Sequence, residues 1–402
     1  MNNLINSIKK LYKKVSSNKH FKRYAIPGAV VLIGVIMLIS APWQVYIPGE
    51  ELPTPTPTIT PTLTPDVSID TTPTPSPTPT TAPTEPPLPG VFHPLTGEPW
   101  SQVQNNRPWA ISIGNYRQAI PHQGIAGADI IYEFITEGSD TRMIALYQDP
   151  SNVGVIGSIR SAREYMLEIA GSHDALLAHA SGRLYGDNES ELYGNPITRK
   201  GTLNVNDVWA GYRDTYRRNT LKMSREDTLV VRGDRIVERL PELDIRSEHN
   251  DSFANTLKFT QGTPISSGNA ANDIEVRFVA NSKTTSFSYS EDNKRYYVRQ
   301  YNKNLVDTVG PNDSDIRLSF TNVLIIQTNI QSGANSFGHR RITTVGEGTG
   351  YFINGGKYIE IKWSREENKG YVYKNLDGTD LELGAGKTYI CIIANNQSPI
   401  FS

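Results

Sequence analysis

An α+β fold in two parts is what this 402-residue sequence predicts, and three observations carry the prediction. Residues 108–240 mix short apolar runs of strand length with helix-like periodic stretches. From Ile274 onward one strand-like run follows another, divided by turn signals such as Asn354-Gly355-Gly356, Asp377-Gly378 and Gly384-Ala385-Gly386. Between them, residues 241–272 are rich in Asn, Ser, Gly and Thr and read as a boundary. A mixed α+β unit over 90–245 and a mainly antiparallel β unit over 246–402 follow from this.

Three segments of other composition precede the globular part. Residues 1–23 carry seven Lys/Arg and no acid. Residues 24–47 form the second segment, uncharged throughout and mostly apolar, with Tyr24 at one edge and Trp43 and Tyr46 at the other. About 20 apolar residues span a bilayer core as a helix, and interfacial rings anchor it. The basic residues ahead of the segment, and Glu50 and Glu51 as the first charges after it, orient the N-terminus to the cytoplasm. Ser40-Ala41 is followed by Pro42 and lacks an A-x-A pattern, which favours a retained single-pass anchor over a cleaved signal. Residues 48–89 contain fourteen Pro and thirteen Thr, so this stalk lacks the donors and apolar surface that a helix, a sheet or a core requires. The expected topology is a cell-membrane protein with its globular part extracytoplasmic.

In the first unit, Pro108 to Gly114, Asp129 to Glu137, Met143 to Gln148 and Ala175 to His179 read as strands. Ser161-Ala162-Arg163-Glu164 fits a capping box, so a helix is expected from Ser161 to Gly171. A polar stretch over 183–225 offers no clear element. Thr228 to Val231 as strand and Asp234 to Leu240 as helix close the unit. The second unit is read as strands over 274–280, 284–290, 295–301, 321–330, 350–354, 357–363, 370–374, 379–383 and 388–394.

Charge and motif content exclude several functions. The whole chain has net charge −1, and the basic N-terminus leaves the globular part mildly acidic, without the electrostatic footprint of a nucleic-acid partner. Cys391 is the single cysteine and lies in an apolar run, so a buried inert thiol is expected, with neither disulfide framework nor thiolate metal site. His122 and His173-Asp174 are not at metal-ligand spacing, so no metal is expected. Gly346-x-Gly348-x-Gly350 precedes a strand instead of a helix, which argues for a turn or bulge over a nucleotide loop, and no cofactor is expected. No G-x-S-x-G or S-x-x-K nucleophile motif occurs.

The candidate site is the start of the predicted helix. Unpaired N–H groups there favour an anion, and Arg160, Ser161 and Arg163, with Arg142, supply donors suited to phosphate or carboxylate. Asp129, Glu133 and Glu137, spaced by four, would share one face of a strand. They could pair with the arginines in a structural network or support a ligand site. Acids four residues apart lie about 13 Å apart along a strand, too far to act on one bond unaided. His179 closes the run Leu176-Leu177-Ala178 and reads as a structural histidine, a ligand or a base. Arg340-Arg341 is read as a solvated turn, with a second anion contact as the alternative.

Several stretches resemble the YerB-like family of bacterial envelope proteins. They are Arg107-Pro108, Gly127 to Glu133, Glu137-Gly138 with Thr141-Arg142, Ile156-Gly157-Ser158-Ile159-Arg160-Ser161-Ala162-Arg163, and His179-Ala180-Ser181-Gly182. In the second unit Asn322-Val323 to Gln327, Gly338 to Arg341 and Gly386-Lys387-Thr388 are similar to the family pattern. The likeness covers about residues 93–397. The histidine that the family carries after its mid-domain arginines is absent from Arg217-Arg218-Asn219-Thr220-Leu221. The resemblance implies a two-part α+β fold and an extracytoplasmic place, and no established reaction. A membrane-tethered domain that binds an anionic ligand, a cell-wall glycan or its phosphorylated precursor, is the leading expectation. The alternatives are an envelope hydrolase or transferase using Asp129, Glu133 or His179, and a scaffold that binds a protein partner. Oligomeric state is left open.

Overall fold

Eight of the ten strands in one path through the main sheet fall in runs that the sequence reads as strands, and that sheet draws on both halves of the chain. The computed structural model describes residues 88–102, 105–180, 202–204, 210–242, 245–280, 282–308, 315–333 and 338–402. The predicted membrane span and most of the stalk lie outside the described residues. Among the described residues no helix is long and apolar enough to cross a membrane.

In chain order the elements are β1 (Trp109–Asn115), β2 (Ile130–Ile135), β3 (Thr141–Tyr147), β4 (Val155–Gly157), α1 (Glu164–Ser172), β5 (Leu176–His179), β6 (Thr202–Asn204), β7 (Gly211–Arg213), α2 (Thr215–Asn219), β8 (Leu229–Arg232) and α3 (Gly233–Arg239). Then follow β9 (Asn269–Ala270), β10 (Asp273–Val279), β11 (Lys283–Ser290), β12 (Arg295–Gln300), β13 (Asn322–Thr328), β14 (Gly346–Asn354), β15 (Lys357–Arg365), β16 (Val372–Asn375), β17 (Thr388–Ala394) and β18 (Ile400–Phe401). Strands dominate, so the α+β expectation is sharpened to a mostly β fold with a few short helices.

The main sheet runs β9-β15-β14-β13-β17-β2-β3-β1-β5-β6, with β16 beside β15. β13, β17 and β2 pair in parallel, as do β1, β5 and β6, while β3 runs against its two neighbours. Parallel strands buried on both faces read as continuous apolar runs, and β2 and β13 are buried at every position. Because β2 pairs with β17, the sheet runs through the compositional boundary near residue 245.

Alternation decides what each face covers. Ile130, Tyr132 and Phe134 share a cluster with Met166 and Ile169 of α1, and with Leu324 and Ile390. Ile131, Met143, Val323 and Tyr389 join Val276, Phe287 and Val298 of a second, six-stranded sheet built on β12-β11-β10-β18. Cys391 is fully buried in this layer, and burial pushes its thiol well above the usual range, as expected of an inert core thiol.

Three sequence readings are corrected. α1 begins at Glu164, with Arg163 as an extended N-cap (φ −134, ψ 161) that makes no side-chain cap. Ser161 therefore caps nothing. Hydrogen bonds from Ile159 N to Leu229 O (2.8 Å) and from Arg160 N to Ser112 O (2.9 Å) hold the preceding chain extended against β1 and β8, overriding the local signal. The Gly346-Gly348-Gly350 repeat is neither turn nor bulge but part of β14, paired along its length with β15. A Cβ on Gly350 would run into Ile325 O of β13, so glycine here permits close strand approach. The run 379–383 forms no continuous strand. Lys374 bridges Asp380, and only Leu383–Gly384 pairs, with Phe259–Thr260.

Candidate anion-binding site

The carboxyl ends of the co-directed strands β1, β2 and β5 lie at one end of the main sheet, with the start of α1 beside them. Ligand crevices in open α/β sheets form at such strand ends. Tyr116 follows β1, Glu137 follows β2, Ala180 follows β5, and Arg142 opens the antiparallel β3. Ala180 N donates to Arg160 O at 3.0 Å, which places the end of β5 against Arg160.

Two carboxylates and four guanidiniums meet here. Arg163 donates to Glu137 Oε1 and to Ala162 O (2.6 Å). Arg142 donates to Ser161 O at 2.7 Å and to Glu137 Oε1 at 3.4 Å. Arg340 of the second half donates to Thr136 O and Gly138 O, both at 3.1 Å, and to Ser332. His339 Nε2 lies 3.8 Å from Glu137 Oε1. Glu137 thus takes its cations through Oε1, while Oε2 is buried and accepts no hydrogen bond. Burial lowers the Arg142 guanidinium to about 10, the charge of Arg160 adding to the effect.

Arg160 occupies a second position at the same end. Its aliphatic stem crosses Gly114, where a Cβ would come within 2.8 Å of Arg160 Cγ. Its guanidinium stands 5.3 Å from the centre of the Tyr116 ring and 3.6 Å from Asp227 Oδ1. Asp227 is buried and also accepts from Tyr116 Oη, Ser158 Oγ (3.3 Å) and Ser224 Oγ (2.8 Å). Burial, reinforced by the hydrogen bond to Asp227, raises the Tyr116 phenol well above its usual range. The Arg160 side chain keeps 23% exposure, against 8% for Arg163 and 12% for Arg142.

The acids do not share a face. Glu137 lies beyond the end of β2 and turns to the arginines. Glu133 points from mid-strand into the layer between the sheets and is fully buried. Its oxygens accept from Asn115 Nδ2 (2.8 Å), Thr141 Oγ1 (2.7 Å), Thr285 Oγ1 (2.8 Å) and Tyr389 Oη (2.6 Å), with Lys283 Nζ 3.4 Å away. Burial lowers the Lys283 ammonium, opposed by the Glu133 charge. This saturated, sealed carboxylate has no route to a substrate. Asp129 sits at the opposite end of the sheet, before β2, accepting from Gln148 N at 2.8 Å with His93 Nε2 at 3.8 Å. Burial lifts its carboxyl to about 6. His179 is buried at the carboxyl end of β5.

Sequence reasoning therefore brought Arg142, Arg160, Arg163 and Glu137 to one end of the sheet and misplaced Asp129 and Glu133. Arg340 is neither a solvated turn nor a free anion contact but a clamp on the Thr136–Gly138 turn. Tyr116 and Asp227 gave no signal, because their partners are far away in sequence.

The chain matches a family whose function is unknown. Residues 95–229 match the family described as protein of unknown function (DUF3048), N-terminal domain, and residues 274–390 match its C-terminal domain. YerB of Bacillus subtilis (strain 168), named as a candidate lipoprotein, is 24% identical over 305 residues, covering 75% of this chain and 85% of its own. The crystal structure of YerB protein from Bacillus subtilis matches with a TM-score of 0.64 at 21% identity, over 78% of this chain and 99% of that one. That likeness concerns the fold.

Proposed function

We propose, for a chain that belongs to the YerB-like family of proteins of unknown function (DUF3048), that the globular part stands outside the cytoplasmic membrane and binds an anionic envelope ligand. The ligand is a cell-wall glycan or its phosphorylated precursor, recognised by its phosphate or carboxylate. One observation carries this reading: three guanidiniums share two carboxylates at the carboxyl ends of the sheet strands, a fourth, Arg340, clamps the adjoining turn, and Arg160 retains solvent access. Arginine forks suit planar and tetrahedral oxyanions, and a buried cluster with excess positive charge is relieved by an anion. The lipoprotein character in the name of the relative supports an extracytoplasmic place, and here residues 24–47 would serve as the tether.

Arg160→Gln in the full-length protein tests the site. The substitution keeps a donor for Asp227 and removes the charge. Binding of purified, labelled wall fragments should weaken about tenfold or more, the worth of one charge-assisted hydrogen bond, with the unfolding midpoint nearly unchanged. Undiminished binding by the folded variant would refute the site.

A further inference from the structure

Arg160 is held differently from its neighbours. Arg142 donates to Ser161 O at 2.7 Å, Arg163 to Ala162 O at 2.6 Å, and Arg340 to Thr136 O and Gly138 O at 3.1 Å. The Arg160 guanidinium makes no hydrogen bond among the described residues, and its ion pair there, to Asp227 Oδ1, is 3.6 Å long. That oxygen explains the length. A carboxylate oxygen offers about two lone-pair sites, and Oδ1 already accepts from Tyr116 Oη and from Ser158 Oγ at 3.3 Å. Arg160 is therefore drawn by the carboxylate's charge and left beyond hydrogen-bond length. Asp227 cannot follow Arg160 outward, because it is buried, Oδ2 accepts from Ser224 Oγ at 2.8 Å, and its carbonyl accepts from Arg217 Nε at 2.8 Å. Arg160, partly exposed and resting over the Tyr116 ring, is the member of the pair that is able to turn away.

We infer that Asp227 and Tyr116 are positioning residues that regulate the proposed anion site through Arg160. Asp227 is an internal counter-ion that an incoming anion displaces from the guanidinium. The Tyr116 hydroxyl, by occupying Oδ1, keeps that ion pair loose enough to yield. This inference rests on the anion-binding reading above and names the regulation of that site. It gives the two residues opposite effects on affinity, although they are bonded to each other: the carboxylate opposes the ligand and the phenol favours it.

The test uses full-length protein in detergent and calorimetric titration with orthophosphate and with glucuronate, which separate a phosphate from a carboxylate ligand. Asp227→Asn keeps an acceptor for the Tyr116 and Ser158 hydroxyls and removes the competing charge, so affinity should rise about tenfold. Tyr116→Phe keeps the ring beneath Arg160 and frees Oδ1 for a direct bond to the guanidinium, so affinity should fall about tenfold. The double variant should bind as Asp227→Asn does, because without the carboxylate's charge the hydroxyl has nothing to moderate. Damage to the fold would weaken both single variants alike. Equal losses, or two unchanged affinities, overturn the counter-ion inference alone. If Asp227→Asn does not fold, Tyr116→Phe decides: weakened binding by the folded variant supports the inference, and unchanged binding overturns it. Failure of the parent and of Asp227→Asn to bind either probe overturns the anion-binding reading as well.

Discussion

Asp129 and Glu133 are two carboxylates four residues apart with opposite electrostatic fates. Glu133 enters the layer between the sheets with its hydrogen-bonding capacity filled, ringed by hydroxyl and amide donors with Lys283 beside it. Breaking such a buried pair leaves an uncompensated charge, so this is a rigid structural joint. Asp129 has fewer donors, and burial raises its carboxyl from 3.8 to about 6. A carboxyl raised in the folded state binds its proton more tightly there than in the unfolded chain. Its contribution to stability is then complete below about pH 4 and is lost as pH rises to about 6. Asp129→Asn keeps an acceptor for Gln148 N and cannot ionise. Relative to the parent, the variant should gain about 1–2 kcal/mol between pH 4 and pH 7, allowing for partial solvent screening. Urea unfolding across that range measures it, and a pH-independent difference would count against the assignment.

At the level of elements, local signals and long-range pairing compete, and pairing prevails where they differ. Ser161-Ala162-Arg163-Glu164 has the composition of a capping box, yet hydrogen bonds to β1 and β8 keep 159–162 extended and delay α1 to Glu164. Glycines at 346, 348 and 350 resemble a turn, yet all three lie in β14, and at 348 and 350 neighbouring backbone and side chains come close. Gly350→Ala follows from that second case. Its methyl group would be driven against Ile325 O in the centre of the sheet, costing about 1–3 kcal/mol by overpacking. Chemical denaturation of the full-length protein checks the value, and an unaffected midpoint would show that β13 and β14 can separate without penalty.

For the whole molecule, the pairing of β2 with β17 ties the end of the chain to its first half. Asp174 reinforces that tie, since Arg107, Arg246 and His249 converge on it. Burial pushes the Asp174 carboxyl up, but the hydrogen bonds from His249 and Arg246 outweigh that and hold it below the usual range. The proposed anion site has the same dependence on both halves, because Arg340 and His339 reach it from the second. If the globular part is extracytoplasmic, protease added to intact cells should degrade it while cytoplasmic markers survive. Protection that ends only on lysis would overturn the proposed location.

The sequence alone determined most strand positions, the buried thiol, the apolar run at 24–47 and the family resemblance. Each of these depends on composition or on a period of two along one segment, which burial imposes locally. It also marked Arg142, Arg160 and Arg163, because they stand beside strand and helix ends. Only the tertiary structure decided that Glu137 joins them while Glu133 and Asp129 do not, and that Tyr116, Asp227 and Arg340 surround the same end. Those neighbours are brought together by sheet order and chain crossing, which pair residues up to about two hundred positions apart and leave no periodic trace in the chain.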